Sequence, residues 1–295
     1  MKHIASGKVR EIYELDSDRL MMVATDRISA FDVVFAETIP DKGRVLTGLT
    51  AFWLKKIASD IPSHLLSFDV PSEAHALGDH EDLEGRVMVV RRAEMIPLEF
   101  IVRGRLAGSG WREYQDRGTL HGRKLPEGLG LGDALDRPVL TPSTKGEAGE
   151  HDINLTEEQA VDVVGKEVFD EARELALQLF GRAASHAESR GLVLADTKFE
   201  FGVIDGKLSV CDEILTSDSS RYWPVRGWLR GETPPAFDKQ VLRDWLETLD
   251  WDKTPPAPEL PTTIIEQTRD RYVKAYEMLT GDPVQNLPGY SRKID

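Results

Sequence analysis

The sequence predicts an α+β fold, and three observations carry that prediction. Short apolar segments typical of strands, such as VREIYEL, RLMMVATD and RVMVVRR, lie in the first third of the chain. A long helical pattern occupies the middle of the chain, and two more helices are predicted near its end. Strands and helices follow one another without a regular β–α–β alternation, which favours α+β over a doubly wound parallel sheet.

Composition and charge limit the classes of function. The 295 residues carry a net charge of −14, with 40% hydrophobic and 30% charged residues, which is ordinary for a soluble globular protein. Nucleic acid and anionic membranes need a basic surface, so we expect neither as a partner, whereas a local basic pocket could still take a phosphorylated small molecule. The lone cysteine, Cys211, excludes a disulfide scaffold. Because no signal peptide or apolar run of about 18 residues is visible, we expect a cytoplasmic protein. The sequence does not give the oligomeric state, and we favour a monomer.

In the first half of the chain, a helix and two further strands follow the opening strands. GLTAFWLKKIAS predicts the helix, since its apolar residues recur at helical spacing. We place a domain boundary just after the strand RVMVVRR, with a hinge near Glu94 to Pro97, which divides the chain into residues 1–93 and 94–295. LEFIVRGRLAGSGW then predicts a strand that runs into a glycine-rich turn.

The second half predicts a loop and then helices around one hairpin. Residues 121–153 hold many Gly and Pro residues and little periodicity, so we expect a long functional or mobile loop there. The segment that follows predicts the clearest helix of the chain, with Thr156 and Gln159 as a capping box at its start. The last two helices are expected around residues 238–249 and 263–280.

The stretch ADTKFEFGVIDGKLSVCDE, residues 195–213, predicts a β-hairpin with a charged face. Asp196, Lys198 and Glu200 alternate with apolar residues on the first strand, and Asp212 stands where the second strand ends. The alternation fits a solvated strand face and a metal–phosphate site equally well. For the second, Glu200 and Asp212 are the natural pair of ligands, since Mg²⁺ is usually held by one or two acids plus nucleotide phosphates.

The register of this hairpin decides whether Glu200 and Asp212 can meet. A two-residue turn at Asp205-Gly206 matches the apolar pattern best, but in a regular ladder it puts the two acids on opposite faces. An odd-length loop, a bulge, or a second strand that ends before Asp212 would allow them to share a metal. The sequence alone leaves this choice open.

Two basic clusters suit an enzyme that handles phosphate. Lys8 and Arg10 follow Gly7 at the start of a strand, where a Gly-Lys turn could cover nucleotide phosphates, although one glycine is a weak signal. Arg103 and Ser109 lie among three glycines in VRGRLAGSGW, where backbone N–H groups could approach a phosphate. A glycine-rich turn with exposed arginines explains the second cluster equally well.

A third segment adds polar residues beside the acids of the hairpin. DEILTSDSSRYWP places Asp218, Ser219 and Arg221 within a few residues of Asp212, which suits an anionic substrate held near a metal. An Asp-Ser turn with a surface ion pair is the alternative.

Two other polar segments leave their role open. Ser29 and Asp32 in TDRISAFDVV could belong to a site or only shape a turn between strands. Lys145, His151 and Asp152 lie in the predicted long loop, which could be a mobile lid or an ordinary polar loop.

Seven segments, in this order, resemble one family, the phosphoribosylaminoimidazole-succinocarboxamide synthases or SAICAR synthetases. The segments are GKVREIYE, TDRISAFDVV, IPLEFIVRGRLAGSGW, PSTKGEAGEHDINL, LADTKFEFG, DEILTSDSSRYWP and WDKTPPAPELP. They extend from residue 7 to about residue 260, and the long insert and tail resemble the longer, yeast-like form of the family.

The resemblance implies a carbon–nitrogen ligase of purine biosynthesis. Such an enzyme uses ATP to join L-aspartate to the carboxylate of carboxyaminoimidazole ribotide (CAIR), and it releases ADP and phosphate. The implied fold has a kinase-like N-terminal antiparallel-sheet domain and an ATP-grasp-like second domain with C-terminal helices, with ATP between them. Phosphoryl transfer of this kind needs Mg²⁺ and cationic groups around the γ-phosphate more than a covalent nucleophile.

Matched residue by residue, the resemblance also implies a site. ATP would contact Gly7, Lys8, Arg10, Glu94 and Met95. CAIR would be bound by Arg103, Ser109, Asp218, Ser219 and Arg221. Asp196 and Lys198 would be catalytic beside the CAIR carboxylate, and Glu200 and Asp212 would bind Mg²⁺. The resemblance gives no aspartate site, and the compact bacterial form differs from this chain at Arg10 and near Ser219.

Two other functions remain open at this level. A small-molecule kinase would use the same lysine, acids and cleft with an acceptor hydroxyl instead of an amine. A non-catalytic nucleotide sensor would have lost part of the set, whereas Lys8, Lys198, Glu200 and Asp212 are all present.

Overall fold

The structure, a computed structural model, describes residues 1–77, 80–145, 153–229 and 231–290. Its strands are β1 (Lys2–Ser6), β2 (Arg10–Glu14), β3 (Arg19–Ala24), β4 (Arg27–Ala30), β5 (Val33–Thr38), β6 (Leu65–Ser67), β7 (Val87–Arg91), β8 (Glu94–Met95), β9 (Leu98–Arg105), β10 (Thr119–Leu120), β11 (Arg123–Lys124), β12 (Ala134–Thr144), β13 (Leu192–Ile204), β14 (Lys207–Cys211) and β15 (Ser220–Pro224). Its α-helices are α1 (Lys42–Ile57), α2 (His80–Leu83), α3 (Gly108–Arg117), α4 (Glu157–Val164), α5 (Lys166–Ser189), α6 (Gln240–Leu246) and α7 (Thr262–Thr280).

Two antiparallel sheets organise the chain, which confirms the α+β prediction. The first has the order β1-β2-β3-β7-β6 and comes from the N-terminal third of the sequence. The second has the order β12-β9-β13-β14, and β15 and β8 also pair with β13. A small separate hairpin is formed by β4 and β5. Helices alternate with strands only irregularly, as the sequence indicated.

The long strand β13 positions the site because it changes neighbours along its length. Its first half lies between β9 and β15, and its second half lies between β8 and β14. Charged residues of β13 therefore face side chains from several separate parts of the sequence. The largest apolar core packs under this sheet and includes Trp53 of α1, Phe100 of β9 and Phe180 of α5, each at most 2% exposed.

The prediction of a long loop over residues 121–153 is wrong. The segment contains the short hairpin β10–β11 and the eleven-residue strand β12, which pairs with β9. Pro138 and Pro142 hid this strand, because proline removes a ladder donor and normally argues against a central strand. β12 is the edge strand of its sheet, and its register shifts between Ala134 and Val139. Proline is tolerated both on edge strands and at such irregularities. His151 and Asp152 lie outside the described residues.

The predicted helices are present with different bounds. The capping box is confirmed, since Thr156 Oγ1 accepts from the Gln159 amide at 3.2 Å and Gln159 Oε1 accepts from the Thr156 amide at 2.8 Å. The single helix predicted there is two helices, α4 and α5, separated at Gly165. α1 begins earlier than the periodic segment, and α3 follows the glycine-rich turn without having been predicted.

None of the helices in the described part of the chain is long and apolar enough to cross a membrane.

Candidate active site

Strand register places Asp196 between two arginines. In the sheet, Asp196 of β13 lies opposite Arg103 of β9 on one side and opposite Arg221 of β15 on the other. Its Oδ2 atom accepts from Arg103 Nη1 at 3.0 Å and from Arg221 Nη1 at 2.6 Å. Asp196 is 3% exposed and Arg103 is 2% exposed, so these charges are paired inside the protein. The predicted catalytic Asp196 and the predicted CAIR-binding arginines therefore form one cluster.

Arg103 is held on all sides of its guanidinium. Nε donates to Thr141 Oγ1 and Nη2 donates to Ser109 Oγ, both at 3.0 Å. Burial lowers the pKa of Arg103, and the charge of Asp196 opposes that effect. The pKa of Arg221 is raised by Asp196. Arginine keeps its charge under such shifts, so the cluster presents two cations around one acid.

The glycine-rich turn allows Arg221 to reach this cluster. Gly108 has φ of +54°, and a Cβ atom at this position would lie 2.7 Å from Arg221 Nη2. A side chain there would be strained and would displace the guanidinium. The next residue, Ser109, lies in the first turn of α3, and its hydroxyl accepts from Arg103.

The hairpin settles the question of register that the sequence left open. Asp205 and Gly206 form a two-residue turn, with φ of 51° and 73°, and the ladder runs from Ile204–Lys207 to Glu200–Cys211. β14 ends at Cys211, and Asp212 adopts φ of 58°, which takes it out of the ladder. The second strand therefore ends before Asp212, which is one of the arrangements that allow Asp212 to approach Glu200.

Lys198 lies at the centre of the acids. Its Nζ atom donates to Glu99 Oε1 at 2.6 Å and to Glu200 Oε1 at 3.0 Å. Burial lowers the pKa of Lys198, but the charges of Glu200, Glu99 and Asp212 outweigh it and raise the pKa. The acids around it therefore favour the charged form of Lys198. Lys145 also donates to Glu200, at Oε2 and 2.5 Å, so both oxygens of Glu200 meet a lysine.

Arg10 neutralises the acids at the end of the second strand. It forms a close ion pair with Asp212, and its Nη2 atom lies 2.6 Å from Glu213 Oε2. Burial opposes the charge of Arg10, but Asp212 and Glu213 raise its pKa. Burial likewise acts against the Asp212 carboxylate, but Arg10 and Lys198 lower its pKa. Asp212 is thus kept ionised beside Lys198 and Glu200.

The other predicted ATP contacts lie nearer the surface. Lys8 forms an ion pair with Asp32, with the two side chains 52% and 47% exposed. The Gly7 amide donates to the Arg10 carbonyl at 2.8 Å and closes the turn that carries Lys8. In β8, Glu94 and Met95 are exposed and pair with Val203 and Gly202 of β13. These β8 residues thus reach the same strand that carries Lys198 and Glu200.

Asp218 and Ser219 are engaged within the protein. Asp218 accepts from Lys42 at 2.6 Å and from the Tyr272 hydroxyl at 2.5 Å. Burial opposes its charge, but Lys42 and Lys239 lower the pKa of Asp218. The Ser219 hydroxyl accepts from the Thr216 amide at 3.1 Å, and the Ser219 carbonyl accepts from the Lys198 amide at 2.9 Å. Both residues hold the loop after the hairpin in place.

Sequence reasoning missed several residues of this site. Glu99, which pairs with Lys198, lies in a strand read only as apolar, and Lys42 precedes the apolar period of α1. No local pattern marks a lysine whose acid partner lies 176 residues away. Lys239 and Arg243 were also missed, because a basic pair at i, i+4 reads as the solvated face of a helix.

A basic cavity of about 580 Å³ lies beside these groups. It is bounded by the turn that carries Lys8, by Asp32 at the tip of the β4–β5 hairpin, and by Arg221, Lys239 and Arg243. In all, five basic and two acidic side chains line it, although the chain carries a net charge of −14. Its volume and charge suit an anionic small molecule.

The acids of the hairpin fit a metal that a nucleotide also holds. Within the described ranges, no group of three or more His, Cys, Asp or Glu side chains could hold a metal ion. A dedicated all-protein metal cage is therefore not found there. Glu200 and Asp212, which both lie by Lys198, instead supply two carboxylates, and Mg²⁺ commonly uses one or two plus phosphate oxygens.

Comparison with known proteins gives a consistent result. A model of the family described as SAICAR synthetase matches residues 3–258. The phosphoribosylaminoimidazole-succinocarboxamide synthase of Maridesulfovibrio salexigens is 48% identical over 281 residues, which cover 95% of this chain and 94% of that protein. The corresponding synthase of Halorhodospira halophila is 50% identical over 277 residues, 93% of each chain.

Solved structures agree with the sequence relatives. The SAICAR-synthase from Saccharomyces cerevisiae complexed with SAICAR has a TM-score of 0.86 at 40% identity, and the match covers 95% of both chains. A SAICAR synthetase in complex with ADP has a TM-score of 0.69 at 23% identity, with 95% of this chain and 98% of that chain covered, and it supports the fold alone. The yeast structure is the more similar of these two, in agreement with the predicted longer form. Because the family model matches residues 3–258 and these relatives cover nearly the whole chain, the chain belongs to the SAICAR synthetase family.

Proposed function

We propose that this protein is an ATP-dependent ligase of purine biosynthesis that joins L-aspartate to the carboxylate of CAIR and releases SAICAR, ADP and phosphate. Family membership over nearly the whole chain is the observation that carries this proposal. Asp196 between two arginines, next to Lys198 and its acids, supplies the charges that such a reaction needs. ATP use is supported by membership of the family, to whose enzymes ATP is a substrate.

The reaction has two steps. First, a CAIR carboxylate oxygen attacks the γ-phosphorus of ATP, the bond to the β-phosphate oxygen breaks, and ADP leaves. The aspartate amine then attacks the carbonyl carbon of the acyl phosphate, phosphate leaves with the electron pair of the C–O bond, and the amine loses a proton. Both steps are limited mainly by positioning and by stabilisation of developing negative charge.

The buried arginine cluster is the proposed CAIR site. Arg103 and Arg221 would bind the CAIR phosphate, with Ser109 as a neutral donor, because guanidinium groups bind phosphate in two-pronged geometry. Lys198, held as a cation, would face the reacting carboxylate. Asp196 would lie near the same carboxylate, as predicted, and would also keep the two arginines oriented, since it accepts from both.

The remaining predicted residues are assigned to ATP and Mg²⁺. Lys8 and Arg10 would face the phosphates, with Gly7 in the turn, and Glu94 and Met95 would contact adenine. Glu200 and Asp212 would hold Mg²⁺. When bound, Mg²⁺ would neutralise the phosphate oxygens and raise the electrophilicity of the γ-phosphorus. Asp218 and Ser219, which were predicted to bind CAIR, would instead support the CAIR site from behind, because their side chains already bond to Lys42, Tyr272 and the Thr216 amide.

The organisation of the molecule completes the proposal. We propose that residues 1–93 form an N-terminal ATP-binding part of the protein and that residues 94–295 form a second part, with ATP bound between them. We also propose that the protein is a monomer, that it is located in the cytoplasm, and that it acts on small molecules.

An omission assay tests the function. Phosphate release should require ATP, CAIR and aspartate together, and SAICAR should form in equal amount. Phosphate release that needs ATP and CAIR but not aspartate would favour the kinase alternative. Nucleotide binding with no turnover in the complete mixture would favour a non-catalytic sensor.

A further inference from the structure

We propose that Arg27 is a positioning residue that holds the Lys8 turn, residues 7–10, in the shape that receives the nucleotide phosphates. This inference rests on the proposed function, which assigns Lys8 to those phosphates. Arg27 is the first residue of β4, and it does not line the basic cavity. It therefore acts on the turn and not on the substrate.

The guanidinium of Arg27 binds three of the four carbonyl groups of the turn. Its Nη2 atom donates to the Gly7 carbonyl at 3.0 Å and to the Arg10 carbonyl at 3.3 Å. Its Nε atom donates to the Lys8 carbonyl at 3.3 Å. Because the guanidinium is a rigid planar fork, these bonds fix the three carbonyls relative to one another.

The fourth carbonyl of the turn is also engaged inside the protein. The Val9 carbonyl accepts from the Thr25 amide and from the Thr25 hydroxyl, both at 2.9 Å. Among the hydrogen bonds within the described part of the chain, none uses the amide of Lys8 or of Val9 as a donor. The carbonyls of the turn are thus bound to Thr25 and Arg27, and two successive amides are left for an anion.

Arg27 is itself anchored on the side away from these carbonyls. Its Nη1 atom forms a close ion pair with Glu11 of β2, and Glu11 also accepts from the Ser6 hydroxyl at 2.6 Å. The residue after Arg27, Ile28, is fully buried and packs in one cluster with Leu242 of α6. The turn is therefore tied through one side chain to a packed strand.

The side chain of Lys8 depends on this support. Its pair with Asp32 is exposed, with the two side chains 52% and 47% accessible, and an exposed pair of this kind holds a lysine only weakly. The position of the Lys8 ammonium is therefore set mainly by its backbone, which Arg27 holds. A phosphate-binding group that is misplaced by about 1 Å loses much of its effect.

Two substitutions of Arg27 test the proposal with steady-state kinetics. Arg27→Gln and Arg27→Lys should each raise the KM for ATP roughly 10- to 100-fold, the loss expected when hydrogen bonds from a charged donor are removed. Lysine keeps the charge and can pair with Glu11, but a single nitrogen cannot serve three carbonyls, so it should not restore ATP binding. The KM for CAIR should stay within about 2-fold.

A double variant shows whether Arg27 acts through the turn. In a Lys8→Met background, Arg27→Gln should raise the KM for ATP by a factor at least about 3-fold smaller than in the unmodified protein, because the group that it positions is gone. A merely structural role would lower stability without this dependence on Lys8.

A milder variant and a control complete the set. Thr25→Val keeps the shape of the side chain and removes one of the two donors to the Val9 carbonyl, so it should raise the KM for ATP about 2- to 10-fold. Arg19 lies at the start of β3, and its partners Asp16 and Glu73 lie outside the turn. Arg19→Gln should leave the KM values for ATP and CAIR within about 2-fold.

Three results would overturn the inference. They are an unchanged affinity for ADP by calorimetry in the Arg27 variants, an equal rise in the KM for CAIR, and a full multiplicative effect in the double variant. If the Arg27 variants do not fold, an unchanged KM for ATP in Thr25→Val would overturn it. Failure of the proposed function would appear in the unmodified protein, as nucleotide binding without formation of SAICAR, and ADP calorimetry would then still test Arg27.

Discussion

Replacing Arg103 by alanine should destabilise the protein and weaken CAIR binding separately. The substitution removes three donors, to Asp196, Ser109 and Thr141, each at 3.0 Å. Thr141 keeps a bond to the Ile101 carbonyl, and Ser109 is only partly buried, so the main cost comes from Asp196. Asp196 is 3% exposed and would retain only Arg221. Removing one partner of a buried ion pair typically costs about 3–5 kcal/mol. Because Arg221 still pairs with Asp196, we expect the free energy of unfolding to fall by about 3 kcal/mol.

Urea unfolding followed by tryptophan fluorescence measures that loss, since the chain has six tryptophans. Thr141→Val is the matched variant, because it removes one acceptor of Arg103 and leaves the Asp196 pair intact. It should cost about 1–2 kcal/mol. A loss below about 1 kcal/mol for Arg103→Ala would refute the view that this guanidinium holds Asp196 in the buried cluster.

The same variant tests the role of Arg103 in binding. Under conditions where Arg103→Ala is folded, its KM for CAIR should rise roughly 10- to 100-fold, whereas the KM for ATP should change little. Equal effects on both KM values would remove Arg103 from the CAIR site.

Three further substitutions separate the parts of the site. Glu200→Gln should lower turnover by at least about 100-fold and leave the fold intact, and near-normal activity at ordinary Mg²⁺ would contradict its role as a metal ligand. Gly108→Ala should raise the KM for CAIR, because its Cβ would lie 2.7 Å from Arg221 Nη2 at a φ of +54°; unchanged CAIR kinetics would show that Arg221 can move without consequence. Lys8→Met should change the free energy of unfolding by less than about 1 kcal/mol, since its pair with Asp32 is exposed, and should raise the KM for ATP. An unchanged ATP KM would exclude Lys8 from the nucleotide site.

Regular local patterns in the sequence predicted much of the fold. Strands β2, β3, β7 and β9 follow from short apolar segments, and the capping box at Thr156 follows from a side chain–backbone signature. These signals lie within a few residues of one another, so neighbouring residues alone determine them. The prediction missed β12 because its prolines argue against a strand, whereas its stability comes from pairing with β9, some forty residues away.

The site was predicted in part, for a similar reason. Asp196, Lys198 and Glu200 were visible as an alternating charged face, and the order of the motifs indicated the family. The two-residue turn of the hairpin is the one that the apolar pattern matched best, but the end of its second strand could not be read from the pattern, because Asp212 leaves the ladder at a positive φ. Lys42 and Glu99 were missed because their acid or lysine partners lie far along the chain, and only the fold brings them together.

The central claim is that Glu200 and Asp212, brought together as β14 ends, hold the nucleotide's metal next to Lys198. A crystal structure of the protein with ADP, Mg²⁺ and CAIR tests it most directly. We predict Mg²⁺ within about 2.0–2.2 Å of an oxygen from each acid and of an ADP phosphate oxygen, with Arg103 and Arg221 on the CAIR phosphate. Mg²⁺ held only by phosphate and water, with Glu200 and Asp212 still paired to Lys198 and Arg10, would contradict it.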